Sequence, residues 1–259
     1  MRFCSLGSGS AGNAWVVEAG SAGSVSRVLV DCGFSLRELD MRLARAGLAA
    51  QDLDAIFVTH EHGDHIGAAL SLSRRERIPL WMSRGTWRAL GAARQPDDRL
   101  HFARDGESIA VGAIELRPFT VPHDALEPLQ LRCSDGARRL GILTDVGSST
   151  AHLVAQLEHC DALAIECNHD REMLARSRYP WSLKARIGGA LGHLSNDVAA
   201  QILAQCVHTR LRHIVAAHLS AENNTPQLAA EALAAACGGR SDAIVVASAR
   251  GGTPWLAID

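Results

Sequence analysis

The segment His60-Glu61-His62-Gly63-Asp64-His65 contains four metal-ligand side chains within six residues, directly after the apolar run Ala55–Thr59. Imidazole nitrogen and carboxylate oxygen are ligands that zinc, manganese and iron all accept. In an extended segment His60 and His62 project to the same side, and Asp64 and His65 then point to a second position. This spacing predicts a metal site at the end of a strand, and a polar surface turn is the disfavoured alternative.

Four ligands cannot complete two metal sites, and further histidines and carboxylates follow later apolar runs. A single Asp or His after a strand is usually a turn residue, so the prediction depends on their recurrence. A carboxylate at such a position can also accept the N–H of a ligand histidine and orient it, which is the role predicted for Asp31. The residues that follow apolar runs are Asp31, His123, Asp145 and His218, and His193 lies just before a predicted helix.

Short apolar runs alternate with helical stretches, and this alternation predicts α/β layers. One helix is predicted to start at Ser35, where Glu38 completes a capping box, and to stop at Gly47. A second opens at Thr225-Pro226 and runs to Cys237. The Gly-rich segment 7–13 is predicted to be a tight turn between strands, with a substrate-contacting rim as the alternative. The predicted strands are Arg27–Val30, Ala55–Thr59, Leu140–Thr144, Ala162–Glu166, Ile214–Ala217 and Ala243–Ala247.

The composition is that of a globular protein of 259 residues, with 47% hydrophobic and 21% charged residues. It excludes a disordered chain or a disulfide miniprotein, and we expect one domain over residues 1–259. A net charge of −2 excludes a nucleic-acid footprint over the whole surface. Seven scattered cysteines without a C-x-x-C pair are typical of reduced thiols, and no apolar run could span a membrane. We therefore expect a cytoplasmic protein.

The His-x-His-x-Asp-His motif at residues 60–65 resembles the signature of the metallo-β-lactamase superfamily. The resemblance implies an α/β fold, namely a four-layer αββα sandwich, with two divalent metal ions at one edge. We expect the ions to be zinc or manganese, with iron as a further option. By this resemblance His60, His62 and His123 would hold the first ion. Asp64, His65 and His218 would hold the second, and Asp145 would bridge the two.

Three further segments resemble a narrower group, the YycJ (WalJ) branch of exonucleases. They are residues 166–170, residues 182–196 and residues 218–226. The spacing of His193 and His218 around an intervening helix also resembles the tRNA 3′-processing phosphodiesterases, which implies that His193 is catalytic and not a ligand. For the mechanism that these resemblances imply, we expect His193 to be the general acid for the leaving group and Asp64 to receive the proton of the nucleophile. Lys184 and Arg186 are the expected phosphate contacts, with a solvated charged loop as the alternative. His169 is expected in the substrate pocket.

Two enzymatic functions stay open at this point. The preferred one is a phosphodiesterase, an exonuclease that cleaves nucleic-acid ends with a hydroxide held between two metal ions. The alternative is a hydrolase of a small ester, thioester or cyclic phosphate at the same site. The near-neutral charge favours the small substrate, whereas the segments around His193 favour the nuclease. A binding module without metals is disfavoured, because every expected ligand position is filled.

Overall fold

The computed structural model describes residues 1–21, 23–91, 96–239 and 241–259. Within them the strands form two seven-stranded sheets. The first sheet contains β1 Arg2–Gly7, β2 Ala14–Ser21, β3 Ser24–Val30, β4 Ala55–Phe57, β5 Leu80–Met82, β6 Leu100–Phe102 and β14 Leu256–Ala257. The second contains β7 Ile109–Val111, β8 Ile114–Thr120, β9 Leu129–Ser134, β10 Arg139–Leu143, β11 Ala162–Glu166, β12 His213–Ala217 and β13 Val245–Val246.

Each sheet combines an antiparallel half with a parallel half. The strand orders are β14-β1-β2-β3-β4-β5-β6 and β13-β12-β11-β10-β9-β8-β7. Strands β3 to β6 run parallel in the first sheet, and β10 to β13 run parallel in the second. The carboxyl ends of parallel strands meet at one edge of a sheet, and in open α/β sheets ligands bind at that edge.

The helices begin where their capping residues predict. Ser35 Oγ accepts a hydrogen bond from Glu38 N at 3.3 Å, but the Glu38 carboxylate binds Arg42 at 2.7 Å, so only half of the predicted capping box forms. Thr225 caps the last helix with Pro226 at its first position. The helices are α1 Leu36–Arg45, α2 Gly63–Ile66, α3 Ala69–Glu76, α4 Arg84–Ala89, α5 Ala151–Leu157, α6 Arg171–Arg176, α7 Trp181–Ile187, α8 Asn196–Cys206 and α9 Pro226–Ala236.

Three apolar cores separate four layers. The central core joins the facing sides of the two sheets and includes Trp15 and Leu131. A second core packs α5, α8 and α9 on the outer side of the second sheet, and a third packs α1 and α3 on the outer side of the first. The predicted αββα sandwich is therefore confirmed. Among the described residues no helix is both long and apolar enough to cross a membrane.

The structure corrects three local predictions. Strand β4 ends at Phe57 and not at Thr59, because Thr59 turns its N–H and hydroxyl to the Asp31 carboxylate. The strand predicted over Ala243–Ala247 is reduced to Val245–Val246, since a 3₁₀ turn occupies Ser241–Ala243. The segment around Lys184 is a helix, α7, and not a loop.

Candidate metal centre

Left-handed backbone at three strand ends directs side chains toward the shared edge of the sheets. Asp31, Asp145 and His218 have φ values of 62°, 52° and 53°. Such conformations are strained for residues other than glycine, and they cluster at functional sites. Each of the three residues follows closely on a parallel strand, β3, β10 or β12. The local strain therefore falls where the sequence predicted metal chemistry.

His60, His62 and His123 form one set of donors. One nitrogen from each of the three rings lies within 4.8 Å of the other two. His60 is fully buried, whereas the His62 side chain is 30% exposed and so faces the cavity above the site. Burial lowers the pKa of both His60 and His123, and the positive charge of His65 adds to the effect at His60. Both imidazoles are therefore neutral and keep a lone pair for a ligand.

Asp64, His65, Asp145 and His218 form a second set, again within 4.8 Å of one another. His65 Nε2 and His218 Nε2 lie 3.6 and 3.5 Å from Asp64 Oδ2. Asp145 Oδ2 contacts His65 Nε2 and also lies 3.5 Å from His60 Nε2. This one carboxylate therefore reaches both sets of donors, as the predicted bridging position requires.

Buried hydrogen-bond partners orient the ligand-type histidines. Asp31 Oδ2 lies 2.7 Å from His65 Nδ1, so it can accept that N–H, which leaves Nε2 to face Asp64 and Asp145. His123 Nδ1 lies 3.0 Å from the Gly192 carbonyl oxygen. An N–H bonded in this way fixes the tautomer and the ring orientation of a metal-ligating histidine. Asp31 thus takes the contact that its place in the sequence predicted.

The Gly-rich segment 7–13 forms the predicted turn between β1 and β2, and it also supports the site. Ser8 Oγ accepts a hydrogen bond from His218 N at 2.9 Å. Asn13 Nδ2 lies 3.1 Å from His65 Nε2 and 3.4 Å from Asp64 Oδ2. Sequence reasoning did not find these three contacts, because the contacts of Asn13 join residues about 50 positions apart and that of Ser8 joins residues 210 positions apart.

Glu166 is a further residue of the candidate site that sequence reasoning missed. Its fully buried carboxylate ends β11 and lies 2.9 Å from the Nδ1 atoms of both His193 and His218. The other oxygen accepts hydrogen bonds from Val146 N at 2.8 Å and Leu194 N at 3.1 Å. Burial disfavours this charge, but His193 and His218 outweigh burial and lower the pKa of Glu166. Asp145 was predicted as a site residue because it follows an apolar run, and Glu166 could have been predicted in the same way because it ends one.

His193 lies at the border between the buried donors and solvent. Its side chain is 25% exposed, and its Nδ1 is 3.0 Å from Asp145 Oδ1. Burial opposes protonation of this ring, but the charges of Glu166 and Asp145 prevail and raise its pKa to about 9. The two carboxylates thus favour the protonated form of His193, which lies two residues before Ser195, the N-cap of α8.

The expected substrate residues do not form one cluster. Arg186 Nε pairs with Asp124 at 2.6 Å, and both line a cavity of about 450 Å³ above Asp64 and Asp145. Lys184 Nζ instead donates to the Ala175 carbonyl oxygen at 2.7 Å. With His169 it lines a separate, neighbouring cavity, and His193 is common to both. The helix α7 separates the two cations, because residues two apart on a helix do not share a face.

Unpaired buried atoms test whether the donors fit metal ions. His60 Nε2 and His218 Nε2 are buried without a hydrogen-bond partner among the described residues. Leaving such groups unsatisfied is costly, and a divalent cation would satisfy both nitrogens and the adjacent carboxylates. All seven side chains offer nitrogen or carboxylate oxygen, so the donor chemistry fits zinc, manganese or iron.

Comparison with known proteins agrees with this geometry. Residues 26–218 match the family described as "Beta-lactamase superfamily domain". The chain belongs to this superfamily. It is 35% identical to Exodeoxyribonuclease YycJ of Bacillus anthracis over 231 residues, which cover 88% of this chain and 86% of the relative. It is 34% identical to Exodeoxyribonuclease WalJ of Streptococcus pneumoniae over 232 residues, covering 88% and 85%. The resemblance to the YycJ (WalJ) branch is therefore confirmed.

Solved structures of other proteins have the same fold as this chain. The crystal structure of the metallo-β-lactamase fold protein YhfI from Bacillus subtilis superposes with a TM-score of 0.74. The two chains are 16% identical, and the match covers 96% of each. The fold and the named relatives support a metal-dependent hydrolase.

Proposed function

We propose that this protein is a two-metal phosphodiesterase that shortens nucleic acids from their ends. The observation that carries the proposal is the meeting of two donor sets at Asp145, with the ring of His193 in contact with the same carboxylate. The named exodeoxyribonuclease relatives support nucleic acid as the substrate class.

The proposed assignment uses every donor found at the site. His60, His62 and His123 would hold one ion, Asp64, His65 and His218 would hold the other, and Asp145 would touch both. Two divalent ions, when bound, would supply an activated water and neutralise charge on the phosphate oxygens. The donor chemistry fits zinc, manganese or iron. The seven free cysteines support the predicted reducing, cytoplasmic location.

Two side chains of the protein would accept and donate the protons of the reaction. Asp64 is 24% exposed and lines the cavity, where its carboxylate could accept a proton from the attacking water. His193 would donate a proton to the leaving oxygen through Nε2, because Glu166 and Asp145 occupy Nδ1. A correctly placed general acid of this kind contributes about 10²–10⁴-fold to the rate.

Arg186 is the proposed cation for a phosphate oxygen at the metal cavity. Its guanidinium is held by Asp124, whose other oxygen lies 3.4 Å from His123 Nε2 and 3.8 Å from His62 Nε2. A substrate phosphate in the cavity would therefore meet this cation next to the first donor set. Arginine suits this task because its planar group offers several donors in a fixed arrangement.

The test compares substrates of two classes on the same metal-loaded protein. Single- and double-stranded oligonucleotides labelled at either end would be incubated beside bis(p-nitrophenyl) phosphate and a thioester, with zinc or manganese. We expect stepwise shortening of the oligonucleotides and its loss in Asp64→Asn. The matched control is Asp98→Asn, since the Asp98 side chain is 89% exposed and lies outside the site. Turnover of the small esters alone would reject the nuclease in favour of a small-molecule hydrolase.

A further inference from the structure

A second cavity lies beside the metal cavity, and His193 lines both. We call it the cationic pocket and define it by His169, Arg171, Lys184, His193 and Ser195. Its volume is about 250 Å³. Pockets for whole small molecules are usually about 300–1,000 Å³, so this one suits a phosphate group and part of one sugar.

The two cavities differ in the sign of the charges that line them. The metal cavity contains Asp64, Asp124 and Asp145, as a site for cations requires. The cationic pocket contains Arg171 and Lys184, and no carboxylate occurs among the residues that line it. A pocket with this lining attracts an anion and repels a divalent cation, because like charges within a few ångströms are unfavourable.

The two cations are held in place without being neutralised inside the pocket. Arg171 uses Nε for both of its contacts, with Ser195 Oγ at 3.2 Å and with Asp197 at 3.1 Å. The Asp197 side chain is 65% exposed, so solvent weakens that pair. Lys184 spends one of its three N–H donors on the Ala175 carbonyl oxygen. Both groups therefore retain donors for a ligand.

His169 provides an independent sign of a missing ligand. It is 3% exposed, it lines the pocket, and its Nδ1 is buried without a hydrogen-bond partner among the described residues. A buried polar atom left unpaired in this way is costly unless something else satisfies it. An anion with hydroxyl or phosphate groups could approach this ring.

We propose that the cationic pocket binds the terminal phosphate of the strand being shortened. The inference rests on the proposed function. His193 would protonate the leaving oxygen, so the leaving nucleotide lies on the His193 side, where the pocket begins. The small volume limits the occupant to one phosphate-bearing end, which favours removal of one nucleotide at a time. The pocket thereby selects strands that carry a phosphomonoester at their end.

The experiment measures a preference for phosphorylated ends. Oligonucleotides of one sequence with a 5′-phosphate, a 3′-phosphate or only hydroxyl ends would be compared on metal-loaded protein. We expect kcat/KM to be at least about tenfold higher with one of the two terminal phosphates, the effect of one charge-assisted hydrogen bond. The preferred substrate shows whether the pocket binds the phosphate of a 5′ end or of a 3′ end.

The double variant Arg171→Gln/Lys184→Gln should reduce this preference to about one. The matched control is Arg176→Gln on the same helix, which removes an exposed arginine that pairs with Glu172 outside the pocket and should keep the preference. A wild-type protein that cleaves all three oligonucleotides equally would overturn the proposal, as would a double variant with an undiminished preference.

A binding measurement tests whether the cationic pocket binds phosphate, independently of whether the protein is a nuclease. If only bis(p-nitrophenyl) phosphate is hydrolysed, the nuclease is rejected, and calorimetry with deoxyadenosine 5′-monophosphate then decides on the pocket. In that case at least tenfold weaker binding by the double variant, with unchanged binding by Arg176→Gln, would keep the cationic pocket as a phosphate site and reject only the nucleic-acid end as its occupant. Equal affinity in wild type and double variant would assign the phosphate to the metal ions and overturn the pocket.

Discussion

Replacement of Glu166 by Gln tests how the buried hydrogen bonds control the second set of donors. The side chain keeps its size and loses its charge, so packing is preserved. In the structure the carboxylate faces four groups that can donate a hydrogen bond, two imidazole Nδ1 atoms on one oxygen and two backbone N–H groups on the other. A glutamine has only one oxygen for these four donors, and its other atom is itself a donor.

Either orientation of the new amide leaves two donors without an acceptor. If its NH₂ meets the imidazoles, His218 must move its proton to Nε2, the nitrogen that faces Asp64 at 3.5 Å. That tautomer removes the lone pair which a metal ion would use. If the NH₂ meets Val146 and Leu194, two backbone groups are left unpaired. Each lost bond to a charged acceptor costs about 1.5–3 kcal/mol. Relief from burying a charge offsets part of this cost.

We therefore expect Glu166→Gln to lower the free energy of unfolding of the metal-free protein by about 2–4 kcal/mol. Affinity for the ion that the second set of donors would hold should fall about 10–100-fold, as is usual when the hydrogen-bond partner of a metal-ligating histidine is removed. Urea unfolding and calorimetric titration with zinc or manganese would measure these two changes.

Glu18→Gln is the matched control, since Glu18 is also buried and binds Arg2 and Arg27, neither of which belongs to the metal-donor sets. It should lose stability without losing metal affinity. Wild-type affinity for both ions in Glu166→Gln would refute the tautomer argument, even if the stability falls as expected.

Three further predictions follow from single contacts. His193→Gln should slow oligonucleotide cleavage about 10²–10⁴-fold but slow bis(p-nitrophenyl) phosphate hydrolysis less than about tenfold, because p-nitrophenolate leaves without a proton; steady-state kinetics measure both. Thr225→Ala removes the oxygen that accepts Leu228 N and should cost about 1 kcal/mol in urea unfolding. Burial lowers the pKa of His169 from 6.5 to about 4, so the unfolded chain binds a proton first as the pH falls. The contribution of His169 to stability should therefore be lost from about pH 6.5 to about pH 4, by about 3 kcal/mol, and His169→Gln should make the measured decline smaller by this amount.

Local patterns were sufficient for much of the secondary structure. The strand over Ala162–Glu166 is found with its predicted bounds, and the helix opened by Thr225-Pro226 runs over Pro226–Ala236. Both signals involve neighbours in the chain, namely apolar runs and capping hydrogen bonds. The helix α7 escaped prediction because none of its residues is buried, so its apolar residues give no periodic stripe.

The sequence by itself determined which side chains could bind metal, because His60, His62, Asp64 and His65 lie within one short segment and the other donors follow apolar runs. Only the tertiary structure decided which groups meet: Glu166 against His193 and His218, Asn13 against His65, and Lys184 in a different cavity from Arg186. These contacts join distant segments through the order of strands in two sheets. Strand order depends on long-range pairing and packing, which leave no mark on the spacing of residues along the chain.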